Sequence, residues 1–133
     1  MSNRPGIAPE RSLEVQAAYA RAIRAGDVEG SVALFAPGAT IWHNFDDRAI
    51  PAERSAATLG RLHEAMPDVD WEDVAVHPTA AGFVWQAVVV GNAPGGPVRA
   101  PTCMVVALSE AGLIERLDEY LDPGGLASLR AQP

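Results

Sequence analysis

Two side chains that can handle a proton or a developing charge lie near the N-terminal end of the chain, the phenol of Tyr19 and the imidazole of His43. An imidazole with an ordinary pKa of about 6.5 can take up and return a proton near neutral pH. A phenol inside an apolar pocket is a good donor toward developing negative charge, and such donors lower a barrier by about 3–4 kcal/mol. The other reactive types point elsewhere. His43, His63 and His77 are widely spaced and fall on different elements, so no metal site is expected. Cys103 lies in an apolar stretch with no basic neighbour to lower its pKa, which argues against a nucleophile.

The elements that must position these groups can be read from periodicity. Leu13, Ala17, Ala20 and Ile23, with Val15 and Tyr19 beside them, recur at helical intervals and predict a first helix that stops at Ala25-Gly26. Asp27 can cap a second, short helix through Val28, Val32, Leu34 and Phe35, ended by Pro37-Gly38. Ala39 to Phe45 reads as a strand, with Ile41, His43 and Phe45 on one side and Thr40, Trp42 and Asn44 on the other. Only one of these sets can face a cavity. Ile50-Pro51 begins a third helix with an apolar stripe of Ala56, Leu59, Leu62 and Met66, stopped at Pro67.

Strands follow. Asp68 to Val76 alternates imperfectly, and Pro78 to Gly82 is a turn. Phe83 to Val90 has the near-continuous apolar run of a strand buried on both faces. A loop from Gly91 to Pro97, a strand from Arg99 to Leu108, a tight turn at Ser109 to Gly112 and a last strand from Leu113 to Leu121 complete the order. Helices first and strands later is the α+β arrangement. The chain of 133 residues suits one domain, 1–133, with a flexible lead over 1–9.

Composition excludes several partners. A net charge of −7 argues against nucleic acid and anionic membrane, which are bound mainly through Lys and Arg. No apolar run approaches a membrane span, no signal peptide is visible, and a cytoplasmic location is expected. There is no Gly-rich phosphate loop, HExxH, CxxC or GxSxG.

The tyrosine of the first helix, the AGD turn, the LFA segment and the polar residue on the following strand resemble the SnoaL-like, ketosteroid isomerase-like branch of the nuclear-transport-factor-2-like superfamily. The C-terminal run GLIERLDEYLDPGGLASLR is similar to the final strand and tail of SnoaL-like proteins. The resemblance implies a cone-shaped, cystatin-like curved antiparallel sheet wrapped over three N-terminal helices. It also implies a pocket between sheet and helices, no cofactor, and a homodimer through the convex sheet face.

By the same resemblance Tyr19 takes the place of the isomerases' oxyanion donor, and His43 that of their proton-shuttling aspartate. Glu119, which shares a strand face with Leu117 and Leu121, turns toward the pocket, where it could orient His43 or act as an acid. Trp85, Phe83 and Val89 would line the walls, and Trp42 or Asn44 would replace His43 if the strand slipped by one residue. Cys103 or Met104 falls where the isomerases carry a second, protonated acid donor, and Cys103 and Leu117 complete the ligand contacts. Loss of that donor argues against authentic steroid isomerisation. Trp85 and Ala87 stand where related epoxide hydrolases need an Arg-x-Asp pair.

The expected function is cofactor-independent acid/base catalysis of isomerase, cyclase or lyase type. Its substrate would be a small, mostly apolar carbonyl compound, such as a polyketide or a steroid-like molecule. The alternative is a dimeric protein that binds a hydrophobic small molecule without converting it.

Overall fold

The computed structural model describes residues 6–130. The first five residues of the expected lead lie outside that range, and within it Ile7 N–H already donates to Ala80 O at 2.9 Å.

Helix α1 spans Pro9–Ala25, opening on a proline whose missing N–H costs nothing in the first turn. Its buried stripe is Ser12, Val15, Gln16, Tyr19 and Ile23, while Leu13 is exposed, so the inward face is rotated from the one that aliphatic spacing suggested. Gly26 ends the helix at φ 66°, and its N–H and that of Asp27 satisfy the carbonyls of Ile23 and Ala22. Asp27 then caps α2, Val28–Val32, by accepting from Gly30 N–H at 2.9 Å.

Leu34 and Phe35 leave the helix sooner than expected. Strand β1 runs Phe35–His43 and carries Pro37-Gly38 inside it, where the register against its neighbour shifts and Gly38 takes φ 79°. A proline without an N–H followed by a glycine in the left-handed region makes a bulge here rather than a stop. Another correction follows at β2, Arg48–Pro51, a short edge strand antiparallel to β1 where a helix start was expected. Helix α3 begins only after it, at Ala52–Ala65, and Pro51 suits both the sheet edge and the helix entry.

The remaining strands are β3 Asp70–Pro78, β4 Gly82–Ala93, β5 Gly96–Leu108 and β6 Ile114–Leu121. The imperfect alternation of β3 is a bulge between Glu72 and Ala75 with Asp73 at φ 51°. The expected loop from Gly91 to Pro97 is mostly ladder, since Ala93 pairs with Gly96 across a two-residue turn. A 3₁₀ turn, Pro123–Leu126, and a short α4, Ala127–Arg130, follow.

The strands form one curved, unclosed sheet in the order β2-β1-β6-β5-β4-β3. It is mixed rather than wholly antiparallel, because β1 and β6 run parallel. Its inner face carries the core, where Phe83, Trp85, Met104, Val106, Leu108, Ile114 and Leu117 meet Val15, Tyr19 and Ile23 of α1. Each such side chain withdrawn from water contributes about 1.5–3 kcal/mol. Ser12, fully buried, ties α1 to the sheet by donating to Gly82 O at 2.5 Å. A second cluster of Met66, Val69, Val89, Val98 and Ala100 closes the other end with Leu126 and Leu129 from the tail. No described helix is long and apolar enough to cross a membrane.

A Cβ on Gly26 would lie 2.6 Å from the His63 ring in a backbone that L residues rarely adopt. Gly26→Ala is therefore expected to destabilise the protein by more than about 1 kcal/mol. A lower urea midpoint at unchanged slope checks this.

Candidate functional site

Three elements deliver the reactive groups to one place. His43 is the last residue of β1, and the parallel register sets it beside Glu119 of β6, just as Ile41 lies beside Leu117. Side chains alternate along a strand, so with Ile41 and Leu117 buried in the core, His43 and Glu119 also point inward. Their contact is direct, with Nε2 of His43 3.1 Å from Oε1 of Glu119. The other carboxylate oxygen accepts from Thr102 Oγ1–H of β5 at 3.0 Å. Tyr19 arrives from the middle of α1, wedged edge-on between the rings of Phe35 and Trp85 at centroid distances of 5.6 and 6.4 Å.

These groups face a cavity of about 150 Å³. Apolar walls come from Ile41, Trp71, Val89, Met104 and Leu117 of the sheet, and Ala56, Leu59 and Leu62 of α3 close the opposite side. Tyr19, His43 and Glu119 contribute the titratable groups of the lining, and Ser31, Ser55 and Thr58 add hydroxyls from α2 and α3. No Lys or Arg is among the described residues that line it, so nothing there is suited to hold a phosphate or a free carboxylate. The indole N–H of Trp71 is buried beside the cavity without a hydrogen-bond acceptor among the described residues.

Electrostatics separate the roles of the three groups. Burial, reinforced by the negative charge of Glu119, holds the Tyr19 phenol far above its ordinary range, so it remains a proton donor to a hydrogen bond at any physiological pH. The hydrogen bond to Glu119 raises the His43 pKa above its ordinary 6.5, against the opposing pull of burial, with the charges of Glu119 and Asp46 adding to the rise. The pair can thus hold a proton near neutral pH and give it up with a modest change in conditions.

Of the residues singled out from sequence, Tyr19, His43, Glu119, Val89 and Leu117 all line this cavity. Phe83 and Trp85 do not. Both are essentially fully buried in the core, because α1 lies across that end of β4, and Trp85 supports the Tyr19 ring instead of touching a ligand. Trp42 faces outward, packed edge-on to Tyr120 and donating its indole N–H to Asp47 Oδ1 at 2.9 Å. Asn44 is taken up in the chain turn, its Oδ1 accepting from Leu121 N–H at 2.9 Å. Cys103 belongs to the outer face, because Met104 beside it turns inward to the cavity. The sequence reading missed Trp71 and Thr102 as site residues. Strand alternation carried a signal for both, since Trp71 shares a face with Val69 and Thr102 with Met104.

The SnoaL-like domain family matches residues 15–117, which takes in α1 from Val15, Tyr19, His43 and most of the cavity walls, and stops at Leu117, two residues before Glu119. The chain belongs to the SnoaL-like family. No curated protein matches its sequence. Among solved structures this SnoaL-like chain is similar to PrhC from Penicillium brasilianum NBRC 6234, at 14% identity and TM-score 0.77, over 90% of this chain and 85% of that one. It is also similar to a candidate SnoaL-like polyketide cyclase from Shewanella denitrificans OS-217, at 14% identity and TM-score 0.77, over 94% and 100%. A third, a protein with a ketosteroid isomerase-like fold from Catenulispora acidiphila DSM 44928, matches at 17% identity and TM-score 0.74, over 90% and 98%. At these identities the likeness is one of fold.

In this SnoaL-like protein the His43 ring is expected to titrate above 6.5 and to fall toward that value in Glu119→Gln, as read by NMR. Because the folded-state pKa is the raised one, the stabilisation from the pair is whole below the unfolded value of about 6.5 and fades as pH rises through the folded value. The stability gap between wild type and Glu119→Gln therefore narrows at alkaline pH.

Proposed function

We propose that this SnoaL-like protein is a cofactor-independent acid/base enzyme of isomerase, cyclase or lyase type. The observation that carries the reading is the convergence of a phenol, an imidazole and a carboxylate on one apolar cavity. Its substrate is a small, neutral, mostly apolar molecule with a carbonyl group. The absence of a cation from the described lining disfavours an anionic ligand. A cavity of about 150 Å³ is the size that encloses a single six-membered ring, which favours a monocyclic reacting end over a buried steroid skeleton.

In the proposed reaction the carbonyl oxygen accepts a hydrogen bond from Tyr19. His43 takes a proton from the carbon beside the carbonyl, and the electron pair of that C–H bond moves into an enolate whose oxygen charge Tyr19 stabilises. Glu119 balances the positive charge gained by the imidazole. Returning the proton at another carbon completes an isomerisation, whereas in a cyclisation the enolate carbon bonds to a second carbonyl carbon, the π pair of that C=O moves to its oxygen, and this alkoxide takes the proton back from His43. With its pKa raised, His43 is a stronger base than a free imidazole, and its basic fraction grows as pH rises through that value.

The homodimer is likewise a proposal. Val105 and Tyr120 are exposed on the two central strands β5 and β6, and self-association through that face would cover them. A concentration series in sedimentation equilibrium reads it, and a monomer throughout would remove this part of the reading.

The catalytic reading is tested by following deuterium exchange next to the carbonyl of small cyclic ketones and enones by NMR. Protein-dependent exchange is expected, rising with pH through a pKa above 6.5. His43→Gln should slow it by about 10²–10⁴-fold, and Tyr19→Phe by about 10²–10³-fold. Exchange that is equally fast in His43→Gln would sink the proposal, as would no exchange with any of these compounds.

A further inference from the structure

Thr102 is a buried threonine of β5 that stands outside the phenol, imidazole and carboxylate just assigned. It is only 6% exposed, and its hydroxyl occupies the second oxygen of Glu119 at 3.0 Å while the first meets His43 at 3.1 Å. The three side chains bridge adjacent strands in the order β1, β6, β5, since Glu119 pairs with His43 on one side and with Met104, two residues along from Thr102, on the other. Threonine is stiff about its first side-chain torsion, so its hydroxyl is a fixed donor. A carboxylate held by a donor on each oxygen has lost most of its freedom to rotate.

We infer that Thr102 is a positioning residue that holds the Glu119 carboxylate against Nε2 of His43, and thereby decides which nitrogen of the ring handles the substrate proton. With Nε2–H donated to Glu119, Nδ1 is the ring nitrogen that can gain or lose a proton without breaking the pair. This rests on the reading of His43 and Glu119 as a proton-transfer pair, and it adds the residue that gives the pair one geometry.

The other groups around the imidazole do not supply that constraint. Asp46 acts on it through charge alone. Arg48 is its exposed ladder neighbour on β2. Tyr19 of α1 shares the cavity, α3 offers only uncharged side chains to it, and β5 presents Met104 and Thr102 on that face. Asn44 N–H reaches only the backbone carbonyl of Glu119, so among the described residues Thr102 provides the hydrogen bond to the Glu119 carboxylate from outside the pair.

The test is an NMR titration of the His43 ring without ligand in wild type, Thr102→Val, Thr102→Ser and Glu119→Gln, with melting curves to show that each variant is folded. Valine keeps the volume of threonine and its fit to a buried strand while removing the donor. Freed from Thr102, the carboxylate turns away from the ring for part of the time. The His43 titration is then expected to fall toward about 6.5 in Thr102→Val and to stay at the wild-type value in Thr102→Ser. An unchanged or higher His43 titration in folded Thr102→Val would overturn the inference, as would a fall of equal size in Thr102→Ser. Glu119→Gln separates the two levels of the argument. If it leaves the His43 titration in place, the pair itself fails. If it lowers the titration while Thr102→Val does not, only the role of Thr102 fails.

Discussion

The parallel pairing of β1 with β6 is the constraint on which the site depends. It joins a strand near the start of the chain to the last strand, and its register sets His43 beside Glu119 after Ile41 beside Leu117. Apolar packing enforces that register. A slip by one residue would drive Ile41 and Leu117 out of the core and turn the imidazole and carboxylate to the outer face along with them. The same hydrophobic burial that stabilises the sheet thus sets the geometry of the ion pair, which stands 21% and 18% exposed at the edge of the core.

From that pair the remaining features of the cavity follow in order of polarity. Glu119 has a donor on each side, His43 and Thr102, so its charge is balanced where a bare carboxylate would be costly. Its charge in turn reaches Tyr19, whose phenol is kept protonated first by burial and then by that nearby negative group. A neutral donor, a titratable base and a fixed anion therefore occupy one small apolar space, each in a state set by its neighbours. A phenol held protonated beside an imidazole that can titrate is the division of roles that acid/base chemistry near neutral pH requires.

The α+β fold class, the three leading helices and the long strands were legible in local signals, because helical and strand periodicities repeat within a few residues. Tyr19, His43 and Glu119 were legible as candidates because each carries a reactive group at a position matched to a family pattern, although the strand register that points His43 inward was left open. Other elements misled for physical reasons. Pro37-Gly38 has the composition of a stop but serves as a bulge, because β6 is there to pair with the residues before it. Arg48–Pro51 is too short to show a period, and only β1 makes it a strand. Phe83 and Trp85 face inward as expected, yet α1 covers them, whereas Trp71 and Val89 lie where the helices leave a gap.

By itself, then, the sequence determined the fold class, most of the helices and the long strands, which neighbouring side chains share a face, and that a phenol, an imidazole and a carboxylate were on hand for chemistry. Tertiary structure decided that His43 rather than Trp42 or Asn44 enters the cavity, that Met104 rather than Cys103 does, and that Thr102 joins Glu119. The difference lies in the range of the forces. Periodicity is a property of neighbouring residues, whereas the register between strands far apart in sequence is set by the packing of the whole core, and a single residue of register exchanges one face for the other.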